Sequence, residues 1–334
     1  MPELPEVETI ARGVNERLRG DRIVEAWFGR HPEPFKTPAA RQARGLEGRV
    51  ILAVHRTGKH IVCELGAADG IELSNPSSPQ QAKIARREPR SRKDQPQVLR
   101  LAALAQNDNR VEHPGAEVGH PVAGLGELES EPNAQWIVHL GMTGRLLVST
   151  PDAPVAAHTH ARLSLASGRE LRFVDPRRFG RLEYRELSRK DGFRAPGADP
   201  LEVTAAEFAR LFSGRKLFIK AALLNQKLLS GVGNIYADES LFRAGIRPRR
   251  RSGQLTRAEL EELRLAMVHV LEHAIRLGGS SVSDYVDADG ARGFFQLEHC
   301  VYLRTELPCR RCQTPIRRIV VAGRGTHYCP HCQR

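Results

Sequence analysis

Aromatic side chains are scarce in this chain: two Trp, five Tyr and eleven Phe among 334 residues. That argues against a protein that holds single strands by stacking bases on rings. No run of ~18 apolar residues occurs, so no membrane span is expected. The first residues are acidic and lack an apolar stretch, so no secretory leader is expected either. Both absences point to a cytoplasmic protein. Neither a heptad pattern nor an obvious interface stripe is present, which predicts a monomer. Cysteine is sparse, and four of the six residues crowd between Cys309 and Cys332, which suits an intracellular metal site better than a disulfide framework. Acid is in deficit, 39 Asp and Glu against 51 Lys and Arg, for a net charge of +12. Such a balance favours a polyanionic partner, nucleic acid before a membrane surface. The length allows two or three domains.

Periodicity divides the chain. Val7, Ile10, Ala11, Val14 and Leu18 recur at helical spacing, with Pro5 suited to the first turn and Gly20 to the stop. From Ile23 to Tyr184 the text is mostly β, including Val50–Ala53 and Ile61–Leu65 around the turn Arg56-Thr57-Gly58-Lys59, then Trp136–Leu140, Leu146–Val148, and two alternating runs about Ser167-Gly168. An antiparallel sandwich or barrel is expected. Residues 66–135 interrupt it with a segment rich in Pro, Gly, Ser, Gln and charge, expected to be mostly disordered. From Thr204 onward Ala205–Phe212, Phe218–Leu229, Ile235–Ala244 and Thr256–Leu277 read as helices. Between the second and third, Gly231-Val232-Gly233-Asn234 makes a tight turn whose free N–H groups, beside a helix start, can hold a phosphate. A plain interhelical turn is the alternative.

Cys309-x2-Cys312 and Cys329-x2-Cys332 have the spacing of two knuckles around one tetrahedral Zn²⁺. The segment has little core of its own, so metal binding should supply its folding energy. Four cysteines close the coordination sphere, which predicts a structural zinc rather than a catalytic one. Gly323-Arg324-Gly325 sets one arginine on the tip of a hairpin between the knuckles.

The chemistry concentrates at the N-terminus. Removal of Met1 leaves Pro2 with a secondary amine, and an α-amino group titrates near ~7.7–8.0. A neutral amine can attack a sugar carbon to form an iminium, and Glu3 beside it can move protons.

Four separated pieces then occur in order ahead of the ribbon: Pro2-Glu3-Leu4-Pro5-Glu6-Val7-Glu8-Thr9, Gly141-Met142-Thr143-Gly144, Asp175-Pro176-Arg177-Arg178-Phe179-Gly180 and Gly231-Val232-Gly233-Asn234-Ile235-Tyr236. With them the chain resembles the bacterial formamidopyrimidine-DNA glycosylase family, over nearly its whole length except 66–135. The resemblance implies a multidomain α+β fold. Residues 1–185 would form a catalytic domain of one helix and an antiparallel β-sandwich, 186–300 a helix-two-turns-helix DNA-binding domain, and 301–334 a four-cysteine zinc finger. It implies excision of oxidised purines, 8-oxoguanine and formamidopyrimidines, from double-stranded DNA, followed by strand cleavage through β,δ-elimination. Pro2 would attack C1′, Glu3 would act at the sugar ring oxygen, Glu6 would arrange the site, and Lys59 would support the lyase steps. Met142, Arg177 and Phe179 would fill the gap left by the flipped nucleotide. Arg178, His158, Asn234 and Arg324 would contact DNA, with Arg324 also counted in the catalytic set and His160 matching the second histidine of a family His-x-His. Two departures stand out: the 66–135 insertion, and Arg292, displaced by one position in the lesion-recognition loop. An enzyme of the endonuclease VIII type, acting on oxidised pyrimidines, and a non-catalytic zinc-ribbon DNA-binding protein are the alternatives.

Overall fold

The computed structural model describes residues 1–32, 34–67, 131–188, 192–282 and 285–334. The segment expected to be disordered therefore lies almost wholly outside the described residues. At its end the expectation was too long, because Ala134 and Gln135 already belong to a strand.

Helix α1 (Leu4–Leu18) forms where the apolar stripe predicts it. Val7, Ile10, Ala11, Val14 and Leu18 are all buried, each large side chain contributing roughly 1.5–3 kcal/mol of transfer free energy. The chain leaves the helix through Gly20 at φ +84°, a backbone conformation glycine adopts without strain.

Two four-stranded antiparallel sheets share the core that this stripe enters. One has the order β2 (Val50–Thr57), β3 (His60–Gly66), β4 (Ala134–His139), β8 (Arg181–Glu186). The other has the order β1 (Ile23–Phe28), β6 (Thr159–Leu165), β7 (Glu170–Val174), β5 (Arg145–Ser149). A short helix α2 (Ala39–Leu46) packs beside β1 and β8. Beyond its first passage from β1 to β2, the chain changes sheets twice more, from β4 to β5 and from β7 to β8. Register fixes where: His139 pairs with Arg181 and Arg145 with Val174. The two crossovers therefore lie side by side at one end of the sandwich. Lys59 is at that end as well, since its neighbour His60 pairs with His139.

A second core belongs to α3 (Ala205–Phe212), α4 (Ile219–Leu223), α5 (Asn234–Arg243) and α6 (Arg257–Arg276). Thr256 caps α6 in a capping box with Glu259. The helix expected over Phe218–Leu229 stops at Leu223. The Asn225 side chain accepts from the Lys227 amide at 3.0 Å, and the Gln226 amide group bonds both Leu224 O and Val232 O. These local bonds compete with the helical ladder. Leu4 joins this second core while the rest of the α1 stripe serves the first, so the chain start is held where the two cores meet. Tyr285 and Ala288, late in the chain, pack on the sandwich core.

The third core is small and includes Cys309 and Cys329. Strands β9 (Arg317–Val321) and β10 (Arg324–Tyr328) pair around the two-residue turn Ala322-Gly323, with φ of +48° and +74°. Positive φ at both positions is the turn geometry that matches hairpin twist.

Candidate active site and metal centre

A cavity of about 570 Å³ opens at the chain start, lined by Pro2, Glu3, Glu6, Lys59, Met142, Asn234 and Arg324 among others. These residues come from widely separated stretches of sequence. The structure brings them together through two tethers on α1. Leu4 N donates to Gly231 O at 3.1 Å, and the Glu6 carboxylate gathers three elements. Glu6 Oε2 accepts from Glu3 N at 2.8 Å, and Oε1 accepts from Ser280 N at 2.8 Å and from the Tyr236 hydroxyl. Burial pushes the Glu6 carboxyl up, and those donors pull against it.

Glu3 lies at the N-terminus of α5, where Ile235 N donates to its Oε1 at 3.3 Å. Its Oε2 is buried with no partner. Burial pushes the Glu3 carboxyl up to about 7, helped by Glu6 and opposed by the Lys59 ammonium and by the Ile235 and Tyr236 amides. A carboxyl half protonated near neutrality can either give or take a proton. Gly233 makes this contact possible, since a Cβ there would lie 2.0 Å from Glu3 Cδ. Burial likewise lowers the affinity of Lys59 for its proton; Glu3 and Glu6 oppose the shift and Arg324 adds to it.

Lys59 is presented by a two-residue turn with Gly58 at φ +63°. Arg56 braces that turn, donating to Glu8 of α1 at 2.8 Å and to Asp199 at 2.6 Å with its side chain 6% exposed.

The sandwich crossovers carry Met142 and Phe179, 41% and 48% exposed. Apolar side chains this exposed are not core residues, and Met142 lines the cavity. Arg177 stacks on Phe179 at 4.9 Å. A residue without an assigned role in the sequence reading, Asp175, locks both loops. It is fully buried and accepts from Thr143 Oγ1 at 2.6 Å, Arg177 N at 3.3 Å and Gly180 N at 2.7 Å. The Asp-Pro-Arg-Arg-Phe-Gly motif held the signal, but its partner Thr143 is distant in sequence.

Other expected contacts are placed differently. His158 is exposed with φ of +64°, and Arg178 is half-buried with φ of +56°. His160 is buried and its Nε2 is 2.9 Å from Asp175 O, so it supports the loop rather than presenting a group to solvent. Asn234 turns its Nδ2 to Gly325 O at 3.0 Å, which ties the start of α5 to the ribbon hairpin beside Arg324. Lys220, fully buried against Asp238 at 2.6 Å, donates to the same carbonyl at 3.1 Å. Arg292 is exposed in the late loop. Tyr236, Ser280 and Tyr302 are further residues of this site that the sequence reading did not single out.

The Sγ atoms of Cys309, Cys312, Cys329 and Cys332 all lie within 4.8 Å of one another, with Cys312–Cys329 at 3.5 Å and Cys309–Cys332 at 3.9 Å. Zn–S bonds of about 2.3 Å in a tetrahedron put sulfurs about 3.8 Å apart. The Arg311 and Cys332 amides point at Cys309 and Cys329 sulfurs, each at 3.4 Å, as suits thiolates. The donor set fits one structural zinc, and its four cysteines leave no position for a substrate.

Comparison with known proteins gives a consistent result. A formamidopyrimidine-DNA glycosylase N-terminal domain model matches residues 1–77 and 93–182, the H2TH domain model of the same enzymes matches 196–286, and a zinc finger found in FPG and IleRS matches 306–334. The chain is 39% identical to the formamidopyrimidine-DNA glycosylase of Solibacter usitatus and 46% identical to that of Desulfitobacterium hafniense, with all of each chain covered. Among solved structures it is similar to the MutM (Fpg) protein of Thermus thermophilus, with 34% identity, a TM-score of 0.70 and 99% and 98% of the two chains covered. It is also similar to a Lactococcus lactis Fpg mutant complexed with Fapy-dG-containing DNA, with 28% identity, a TM-score of 0.72 and full coverage of both.

Proposed function

Because the chain belongs to the formamidopyrimidine-DNA glycosylase family, we propose that its cavity excises oxidised purines from duplex DNA and then cleaves the strand through an N-terminal proline imine. Base-excision glycosylase activity follows from the family. The substrate range and the covalent route are our reading, and one observation carries it: Pro2 lines the cavity beside a glutamate whose carboxyl titrates near neutrality. With Met1 removed, the Pro2 nitrogen attacks C1′ and the glycosidic bond breaks, its electrons leaving with the base. Glu3 transfers a proton at the sugar ring oxygen as the ring opens to the iminium. Loss of a C2′ proton then expels the 3′ phosphate, and a second elimination expels the 5′ phosphate. Lys59, buried enough to lose its proton more readily, supports the proton transfers.

Met142 and Phe179 fill the space of the flipped nucleotide, and Arg177 hydrogen-bonds the orphaned base. Asn234, Arg324, Arg178 and His158 grip phosphates, which positions the duplex without reading its sequence. Three separate cores support the division into 1–185, 186–300 and 301–334. We read the protein as a monomer acting on cytoplasmic, nucleoid-associated DNA; no helix among the described residues is long and apolar enough to cross a membrane.

The test is borohydride trapping on a duplex with 8-oxoguanine opposite cytosine, comparing wild type with Pro2→Gly. An adduct on the N-terminal peptide, absent in Pro2→Gly, is expected. Tight binding without an adduct, in protein confirmed to lack Met1, would overturn the purine reading; a thymine glycol duplex then tests the pyrimidine alternative.

A further inference from the structure

Asp238 lies in the middle of α5, fully buried, and takes no part in the chemistry above. Its Oδ1 accepts from Lys220 Nζ at 2.6 Å. Its Oδ2 accepts from His327 N at 2.9 Å and faces His327 Nδ1 at 3.2 Å. Lys220 also reaches Gly325 O at 3.1 Å, where it joins the Asn234 side-chain amide at 3.0 Å. Side chains of α4 and α5 thus bond two backbone groups of β10, Gly325 O and His327 N. Residues two apart on a strand present such groups to the same edge. The other edge of β10 pairs with β9. The two helices therefore complete the open edge of the ribbon hairpin in place of a third strand.

Stability does not explain the use of charge here. Desolvating a carboxylate and an ammonium costs about as much as their attraction returns, and apolar side chains of similar volume serve as well. Apolar contact is non-directional, however. A strand on an apolar helix face can slide, whereas an acceptor aimed at one N–H and a donor aimed at one C=O admit a single register. Register matters because of what the hairpin carries. Arg324, next to Gly325, lines the cavity, and its charge opposes protonation of Lys59. The zinc cysteines hold β10 only through Cys329, and Arg324 is at the opposite end of that strand. A slip that keeps the same face on α5 moves the strand by about 7 Å, enough to take Arg324 away from Lys59.

We propose that Asp238 is a positioning residue for excision: with Lys220 and the His327 amide it sets the register of the ribbon hairpin on α5 and so holds Arg324 in the cavity. This rests on the reading of the cavity as the excision site.

The test is a double-mutant cycle with Arg324 on the zinc-loaded full chain. Asp238→Asn keeps the shape and removes the charge. Asp238→Glu keeps the charge opposite Lys220, which protects the fold, and displaces the carboxylate by one methylene. Each should lower single-turnover excision of 8-oxoguanine about a hundred-fold. Each should also weaken binding to a duplex with a tetrahydrofuran abasic analogue about ten-fold. In an Arg324→Ala background neither substitution should change either quantity by more than about two-fold, because the group that Asp238 places is gone. A merely structural role would instead multiply with Arg324→Ala. Wild-type excision and binding in a variant that holds one zinc and melts cooperatively would overturn the proposal, as would an effect undiminished in the Arg324→Ala background. Loss of cooperative melting in both variants would overturn it too, since Asp238 would then hold the fold rather than the register. Failure of the excision reading is separate: wild type would bind the lesion duplex without excising it, and the binding half of the cycle would still decide the role of Asp238.

Discussion

Replacing Glu3 by glutamine should stabilise the protein above neutral pH, and the size of the effect follows from its burial. The Glu3 carboxyl moves from an ordinary 4.5 to about 7 in the folded chain. Between those values the folded state keeps a proton that the unfolded state has released. Stability therefore falls as pH rises through that window, by about 1.4 kcal/mol per unit, and the penalty is complete above about 7. The rise from 4.5 to about 7 gives a penalty of about 3 kcal/mol. Glutamine is neutral at every pH and can still accept from Ile235 N, so Glu3→Gln should escape it. The assay is urea unfolding of wild type and variant at about pH 5 and pH 8, a pair of values that bracket most of the window. The difference between the two proteins should be small at the lower pH and should approach 3 kcal/mol, about two powers of ten in the unfolding constant, at the higher one. Excision should fall sharply in the same variant at every pH, because the proton donor is gone. A stability difference that does not change between the two pH values would refute the reasoning: Glu3 would then be ionised throughout, its charge compensated by Lys59 and the start of α5. Such a trade of stability for function is expected where a buried acid is kept for chemistry.

Two further outcomes follow from particular contacts. Gly233→Ala would place a Cβ 2.0 Å from Glu3 Cδ and push the carboxyl out of line; single-turnover excision should drop about a hundred-fold while duplex affinity changes only a few-fold, and retained excision would mean that the carboxyl can relocate at no cost. Removal of residues 70–131 with a short Gly-Ser turn should leave cleavage largely intact, because Leu65 pairs with Ala134 and Asn133 N donates to Leu65 O at 2.9 Å, so the strand ends already stand as neighbours; a large loss with the fold preserved would show that the insertion touches DNA.

Much of the architecture was legible because it is written in local periods. The stripe of α1, the alternating strands and the two Cys-x-x-Cys knuckles each depend on residues within a few positions of one another. The helix expected over Phe218–Leu229 failed for a local reason as well: Asn225 and Gln226 bond nearby backbone groups, and apolar spacing alone does not report this. Resemblance to the family supplied the candidate residues, but spacing could not say how they meet.

Sequence by itself therefore determined which residues can do chemistry and where the zinc is held: an N-terminal proline next to a glutamate, a turn lysine, four cysteines at knuckle spacing. Tertiary structure decided what those groups are. Glu3 titrates near neutrality because α5, more than two hundred residues away in the chain, closes over it and leaves one oxygen unpartnered. Met142 and Phe179 stand together because two sheet crossovers share one end of the sandwich and a buried Asp175 bonds both. Desolvation and hydrogen bonding are set by what surrounds a group in space, and those surroundings come from segments that sequence spacing leaves unrelated.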